Sequence, residues 1–223
     1  MRVSRMVLSA FAVAALALPV AAQFGPRAPS MQGLWNPVVG QGAAYQMDSR
    51  SGKKQEMEIA VVGKEDFQGQ PGFWLEMTMS EAHEGMGAMK MLMVMAPPTP
   101  GAKRMIMQMN GQAYEFPMNS PMMQNRPGAK NAGGTDITKS GGTLVGTETI
   151  TVPAGTFECQ HYKGTDPPTD VWVSSKVSPW GLVKSEARDS SMVLVRQITD
   201  AKDKITGPVK PFDPMAFAGQ QHP

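Results

Sequence analysis

The sequence predicts a mainly β protein with about ten antiparallel strands and little helix. Three observations predict it: apolar side chains recur at every second residue, turn residues separate these runs, and no stretch keeps a helical period for long. The 223 residues include 23 Gly and 19 Pro, which is typical of a chain with many turns, and this length suits one domain.

The N-terminal residues have the pattern of a secretory signal peptide. Arg2 and Arg5 precede an apolar run that ends at Val20, and two alanines follow as small residues of the kind that a signal peptidase accepts. The run has about 15 residues, fewer than the roughly 20 that span a bilayer. We therefore expect residues 1–22 to be removed near Ala22 and the mature chain to be periplasmic or secreted, without a transmembrane anchor.

Charge and cysteine content exclude several classes of function. Loss of Arg2 and Arg5 from the 21 basic residues leaves 19, equal to the 19 acidic ones, so no general basic surface attracts nucleic acid. A single cysteine excludes an internal disulfide and a multi-cysteine zinc site. Catalytic and phosphate-binding motifs are missing from the sequence, so we expect neither enzyme activity nor a cofactor or metal site.

Composition divides the mature chain into a lead-in, a domain and a tail. Residues 23–42 hold prolines and glycines without a period and are predicted to be an extended lead-in. Residues 43–206 are predicted to form the antiparallel β domain, with a long loop or lid at 117–143 that is rich in Pro and Gly. Residues 207–223 carry four prolines and are predicted to be a flexible tail.

Methionine is the most unusual feature of this composition, because 13 of the 20 methionines lie between Met77 and Met123. Residues two apart in a strand share a face. Alternating methionines in three successive runs therefore point the same way if these runs pair as hairpins. The set, called the Met face below, consists of Met77, Met79, Met89, Met91, Met93, Met95, Met105, Met107 and Met109.

Three interpretations of the Met face stay open. In the first interpretation, the Met face is a packed core. Methionine loses more rotamer entropy on burial than Val or Ile does, and flexible thioethers suit a guest of variable shape. That favours the second interpretation, a concave surface that binds lipid or another apolar ligand. The third is a Cu(I) site formed by these thioethers with His83, since soft sulfur ligands select Cu(I).

Cys159 and His161 are the other residues with possible chemistry. They are two positions apart and face the same way in a regular strand. A nucleophilic pair needs an activated thiol and a third, orienting group, and the sequence indicates neither. We predict a buried, inert cysteine and a half-buried histidine with its hydrogen bonds satisfied.

Residues 146–195 resemble known proteins. A strand, the turn VPAGTF, a strand with Cys159 and Tyr162, a strand containing VW, and the segment PWGLVK follow one another. This succession resembles exported bacterial families that are similar to the periplasmic lipoprotein-carrier (LolA/LolB-like) half-barrel superfamily. The resemblance implies a single half-open antiparallel β-barrel with an apolar concave face.

The lipoprotein carriers cover the barrel mouth with short helices. Residues 117–142 of this chain are too rich in Pro, Gly and Asn for a firm helix, which leaves Met118, Met122 and Met123 to plug the opening. We predict an exported, monomeric binding protein that holds an apolar small molecule or lipid, such as a lipoprotein acyl chain, on the Met face. The alternatives are a Cu(I)-binding Met-rich envelope protein and a structural envelope protein without a ligand.

Overall fold

A computed structural model describes residues 32–49, 52, 54–80, 85–118, 135–138, 141–165 and 168–213. Within these ranges the chain forms fourteen strands and no helix. The strands are β1 (Gln32–Gly33), β2 (Gly42–Ser49), β3 (Lys54–Phe67), β4 (Gln70–Met79), β5 (Met86–Val94), β6 (Gly101–Met109), β7 (Gln112–Phe116), β8 (Thr135–Asp136), β9 (Thr143–Val152), β10 (Gly155–Thr165), β11 (Pro168–Val173), β12 (Leu182–Ala187), β13 (Ser190–Ile198) and β14 (Val209–Pro211).

Twelve of the strands form one sheet, in the order β14-β7-β6-β5-β4-β3-β2-β13-β12-β11-β10-β9. Strands β2 to β7 follow one another as antiparallel neighbours, and β9 to β13 do the same. The two halves meet where β13 pairs antiparallel with β2. Because β14 and β9 are the two ends of this order, the sheet is not closed, and the predicted half-open, mainly antiparallel β fold is confirmed.

A buried hydroxyl connects the two halves of the sheet. Tyr45 of β2 has no exposed surface, and its hydroxyl donates to the carbonyl oxygen of Leu182 in β12 at 3.0 Å. Burial raises the pKa of the Tyr45 hydroxyl, which therefore stays protonated and continues to donate. The bond satisfies a polar group that would otherwise be unpaired in the core.

Two hairpins in the first half depend on residues with positive φ. Gln68 and Gly69 have φ of 54° and 78°, and Asn110 and Gly111 have φ of 49° and 77°. Two consecutive positive φ values make the type I′ turn, whose twist matches that of the flanking strands. The Asn110–Gly111 turn joins β6 to β7, a strand that the alternation pattern did not predict.

The lead-in packs against the loop between β11 and β12. The Leu34 N–H donates to the Trp180 carbonyl oxygen, and the Asn36 N–H donates to the Pro179 carbonyl oxygen, both at 2.7 Å. A Cβ at Gly33 would lie 2.0 Å from that Trp180 oxygen, so only glycine allows so close an approach. The lead-in is thereby held over the domain by backbone hydrogen bonds.

Two predicted irregular segments contain short strands. β1 lies in the predicted lead-in, and β8 lies in the predicted loop over 117–143; they pair in parallel as a separate two-stranded sheet. Because β1 and β8 have two residues each, no local sequence pattern indicates their pairing. The predicted signal peptide and residues 119–134 of the predicted lid lie outside the described residues.

The chain after β13 runs over the face of the sheet that is opposite the methionines. We call residues 199–212 the C-terminal strap. Ile205 of the strap is buried together with Ile106 of β6. β14 then pairs in parallel with β7, and the Phe212 ring stacks on Phe116 with centroids 4.1 Å apart. Residues 209–211 of the predicted tail are therefore part of the sheet, and Phe212 packs against it. Residues 214–223 lie outside the described residues.

Candidate apolar binding face

The strand register places methionines of three neighbouring strands side by side. Met77 of β4 pairs with Met89 of β5, and Met89 pairs with Met107 of β6. One cross-strand row therefore runs through Ile59, Met77, Met89, Met107 and Tyr114. The next row runs through Val61, Leu75, Met91, Met105 and Phe116. Since paired residues share a face of an antiparallel sheet, these thioethers lie together on the inner face.

Burial differs among the members of the Met face. Six of its members are buried: Met77, Met91, Met93, Met105, Met107 and Met109. The remaining three, Met79, Met89 and Met95, are half-buried. Met79 ends β4, and Met89 is near the start of β5, so the accessible thioethers of these two strands lie toward the Met79–Met86 end. Some methionine side chains of the Met face are therefore packed into the core, and others are partly accessible to solvent.

Aromatic side chains lie over part of the inner face. Phe73 pairs with Met93 in the register, and its ring meets the Trp35 ring edge-on with centroids 6.0 Å apart. Trp35 in turn lies 4.6 Å from the fully buried Trp180. The lead-in and the β11–β12 loop therefore supply a cover that the sequence interpretation, which placed the lead-in outside the domain, missed. The apolar pair Leu34-Trp35 within a Pro- and Gly-rich stretch is the signal that points to it.

Trp180 carries a polar atom without a partner. Its indole Nε1 is buried and has no hydrogen-bond partner among the described residues. Leaving a buried donor unpaired costs about 1–3 kcal/mol. The indole belongs to the same apolar cluster as the Met face.

The opposite face of the same strands is charged. Arg104 of β6 donates to Glu65 at 2.9 Å and to Glu115 at 2.7 Å, and its guanidinium lies 5.2 Å from the centre of the Trp74 ring. The hydrogen bond from Arg104, partly offset by burial, holds the pKa of Glu115 below its ordinary range. The inner face of these strands is therefore apolar, whereas their outer face carries ion pairs beside the small apolar cluster that contains Ile106 and Ile205.

Cys159 is inert in this environment. Its side chain is 1% exposed, and the thiol lies 3.7 Å from the Phe157 carbonyl oxygen. Burial, with a smaller effect of the nearby Glu148 carboxylate, raises the pKa of the Cys159 thiol to about 11. A thiol that resists ionisation is a poor nucleophile.

His161 is surrounded by partners rather than exposed to a substrate. Its Nε2 lies 2.6 Å from Asp170 Oδ1, and its Nδ1 lies 3.0 Å from Glu148 Oε1. The ring stacks on Trp172 at 4.5 Å. The half-buried, hydrogen-bonded histidine that the sequence predicts is what the structure contains.

The described residues contain no group of three or more His, Cys, Asp and Glu side chains placed to hold a metal ion. His83, the proposed histidine ligand for Cu(I), lies outside the described residues, so copper binding stays a prediction. In the part of the chain that the structure describes, no helix is long and apolar enough to cross a membrane.

A scan against protein-family models found no match, and neither did a search of curated proteins. Among solved structures, a Bacteroides fragilis protein described as exported and YmcC-like in fold is 13% identical, with a TM-score of 0.37. The match covers 74% of this chain and 99% of that protein. A Parabacteroides distasonis protein described as a lipoprotein is 17% identical, with a TM-score of 0.36, over 75% of this chain and 99% of its own.

A third solved structure, MucB in complex with MucA(peri), is 11% identical and has a TM-score of 0.37. That match covers 78% of this chain and 55% of MucB, so this chain corresponds to about half of MucB's length. These likenesses are distant and concern the fold alone.

Proposed function

We propose that this chain is an exported binding protein for an apolar ligand, a lipid or a lipoprotein acyl chain, which it holds against the Met face. The observation that carries the proposal is the arrangement of thioethers in cross-strand rows on one inner face, with Met79 and Met89 still partly accessible. The N-terminal segment, with its signal-peptide pattern, supports an extracytoplasmic location.

Thioether flexibility explains how a largely buried face takes up a guest. Three rotatable bonds let a methionine side chain change rotamer without moving the strand that carries it. An acyl chain that enters at Met79 and Met89 displaces these side chains and lies along β4 and β5 toward Met93, whose register partner Phe73 meets Trp35 beside Trp180. Its burial stabilises the complex by roughly 25 cal/mol per Å² of apolar area, before the loss of chain entropy.

The unpaired indole N–H of Trp180 supports a ligand that carries a hydrogen-bond acceptor. It is a donor without an acceptor at the apolar cluster, so it suits a ligand that combines an apolar chain with a carbonyl or carboxylate oxygen. Fatty acids and acyl esters have this chemistry, and plain hydrocarbons do not. The donor would orient the ligand while the Met face supplies most of the binding energy.

Lipid content is the direct test. The protein is purified from the periplasm and examined by native mass spectrometry, and delipidated protein is titrated with a fluorescent fatty acid. We expect one bound lipid or saturable uptake. Met89→Lys should weaken uptake about tenfold or more, because it places a charge in the apolar entrance. Gln197→Lys, at an exposed position of β13, is the matched control and should leave uptake unchanged.

Trp180→Phe separates the donor from the apolar contacts. We expect it to weaken binding of a fatty acid more than binding of an alkane of equal length, because only the acid accepts a hydrogen bond. Absence of both co-purified lipid and fatty-acid uptake in the wild-type protein would overturn the proposal. The burial of six Met-face residues favours a structural envelope protein as the second candidate.

A further inference from the structure

The only cysteine of the chain is shielded from redox chemistry. The Cys159 side chain is 1% exposed, and burial raises the pKa of its thiol to about 11. Little of the reactive thiolate therefore forms at neutral pH. Methionine thioethers are the other side-chain sulfurs that oxidants attack, and they react without ionising. Sulfur oxidation in the native protein is therefore expected at accessible methionines.

Accessible methionines lie at one end of the Met face. Met86, at the start of β5, is 36% exposed, and Met79 and Met89 are half-buried. The register of β5 and β6 shifts between Met86 and Met89, but Met86 still pairs with Met109 and Met89 with Met107. Both therefore share the inner face with their partners. We call Met79, Met86 and Met89 the entrance methionines, because Met79 ends β4 where β5 begins.

Other thioethers of the same face are shielded. Met91, Met93 and Met105 are 1%, 1% and 3% exposed. An oxidant dissolved in water has to touch the sulfur atom to transfer its oxygen, so it reaches the entrance methionines before these three. Neighbouring side chains of one chemical type thus differ in access, and oxidation of the native face begins at the entrance.

Oxidation turns an apolar methionine into a polar side chain. The sulfur atom gives an electron pair to the oxygen of hypochlorous acid and keeps that oxygen as a sulfoxide, while the chlorine leaves as chloride and a proton is released. With hydrogen peroxide, the other product is water. The sulfoxide is polar and chiral, and methionine sulfoxide reductases convert it back to the thioether.

The cross-strand neighbours of Met89 cannot satisfy a sulfoxide oxygen. Met89 lies between Met77 of β4 and Met107 of β6 in the register, and a thioether has no hydrogen to donate. A polar group without a partner is costly in apolar surroundings. The oxidised Met89 side chain therefore turns toward solvent, and a hydrated oxygen then lies where an acyl chain has to enter.

We propose that the entrance methionines form a reversible oxidation site. A hypohalous acid or a peroxide converts Met79, Met86 and Met89 to sulfoxides, and the oxidised entrance no longer admits an apolar ligand. Reduction of the sulfoxides restores the thioethers and the apolar entrance. This inference rests on the proposed function, because it concerns the regulation of the same site.

The first experiment maps the order of oxidation. The processed, purified chain is treated with hypochlorous acid in small molar excess, and sulfoxides are located by peptide mass spectrometry over time. We expect the entrance methionines to be oxidised about tenfold faster than Met91 and Met93. In urea, where burial is lost, all of them should react at similar rates. Equal rates in the native protein would overturn the proposal, and this result does not depend on any ligand.

The second experiment measures uptake of a fluorescent fatty acid before and after oxidation. At the lowest dose that oxidises the entrance methionines, we expect the dissociation constant to rise about tenfold or more, because polar groups now occupy an apolar entrance. Treatment with methionine sulfoxide reductases A and B should reverse the rise. An unchanged circular dichroism spectrum checks the fold.

The outcomes of the uptake measurement separate the two proposals. Fatty-acid uptake that oxidation leaves unchanged would overturn the oxidation site and leave the proposed function standing. A chain that takes up no fatty acid before treatment would overturn the proposed function, and with it the regulation of that site.

Leucine variants show which sulfurs matter. Leucine has a similar volume to methionine and carries no sulfur, so the triple variant Met79→Leu, Met86→Leu, Met89→Leu should have the same dissociation constant before and after oxidation. Met47→Leu is the matched control: Met47 is half-buried in β2, outside the entrance, and this variant should respond to oxidant like the wild type. A triple variant that still responds, or a Met47→Leu variant that does not, would overturn the proposal.

Discussion

Lys90 Nζ lies 2.6 Å from Asp203 Oδ2 and 3.0 Å from the carbonyl oxygen of Ile205. Lys90 is in β5, on the face opposite its neighbours Met89 and Met91, and Asp203 is in the C-terminal strap. The Lys90 side chain is 10% exposed. The strap crosses β5 at this point, and it brings the Asp203 carboxylate to the nearly buried ammonium group as its charge partner. The ion pair thus ties the end of the chain to the strands that carry the Met face.

Removal of the Asp203 carboxylate should destabilise the domain. Asp203→Ala leaves the ammonium group of Lys90 nearly buried without its ion-pair partner, and it also removes the acceptor for the Ile205 N–H. Because Asp203 is itself partly exposed, we expect a loss of about 2 kcal/mol in the free energy of unfolding, below the 3–5 kcal/mol of fully buried pairs. Urea denaturation measures it.

Lys202→Ala is the matched control for that change. Lys202 pairs with Asp200 in the same strap, and both side chains are more than three-quarters exposed. Exposed pairs contribute little, so stability should change by less than about 0.5 kcal/mol. Equal effects of Asp203→Ala and Lys202→Ala would show that the Lys90 ion pair does not hold the strap.

Two methionines of the same strand should respond differently to truncation. Met93 is 1% exposed, so Met93→Ser should lower the free energy of unfolding by about 2–5 kcal/mol, as core truncations do. Met89 is half-buried, and Met89→Ser should have a clearly smaller effect. Denaturant titrations of both variants give the comparison. A small loss for Met93→Ser would mean that the inner face is open where the structure has it packed.

Local pattern was sufficient to predict most strands and their antiparallel pairing. Alternation with a period of two marks β3, β4 and β6 even though methionine has no strong β preference, because burial on one face, not propensity, sets the pattern. β7 was missed because five residues are too few for alternation to be visible. The Asn110-Gly111 pair is the signal for it, since this dipeptide favours the type I′ hairpin turn.

Contacts between residues far apart in the chain were not predictable in the same way. The β2–β13 pairing joins residues about 150 positions apart, and no local period reports which two strands meet. Prolines dominate residues 207–223, so the sequence predicts a flexible tail where the structure has β14 and the packed Phe212 ring. The Met face was predicted as a set, whereas its cover by Trp35 and the unpaired donor of Trp180 arise from tertiary packing.

Glu76 should make stability depend on pH. Burial, reinforced by the neighbouring Asp203, raises the pKa of Glu76 above its ordinary value of 4.5. The folded state therefore holds this proton at pH values where the unfolded chain has released it, and stability falls as pH rises from about 4.5 through the raised pKa. Glu76→Gln removes this dependence and keeps an oxygen to accept from the Lys204 N–H.

We expect Glu76→Gln to be more stable than the wild type at pH 7 and equal to it near pH 4. Thermal unfolding between pH 4 and pH 8 measures the difference. Glu158→Gln, at an exposed site in β10, should run parallel to the wild type throughout. A Glu76→Gln curve parallel to the wild type would show that the Glu76 carboxylate is not penalised by burial.

The buried thiol of Cys159 should be protected from reagents until the chain unfolds. Burial raises its pKa from 9.0 to about 11, so at pH 8 the native protein contains little of the reactive thiolate. We expect Ellman's reagent to label the native protein about 100-fold more slowly than the protein in guanidinium chloride, because both ionisation and access are restricted. In the Thr156→Cys variant, the introduced cysteine is at an exposed position three residues earlier in β10. We expect the reagent to label this cysteine rapidly and Cys159 still slowly. Native labelling of Cys159 as fast as that of the introduced cysteine would mean that β10 opens readily, and the assignment of Cys159 as an inert core residue would then be wrong.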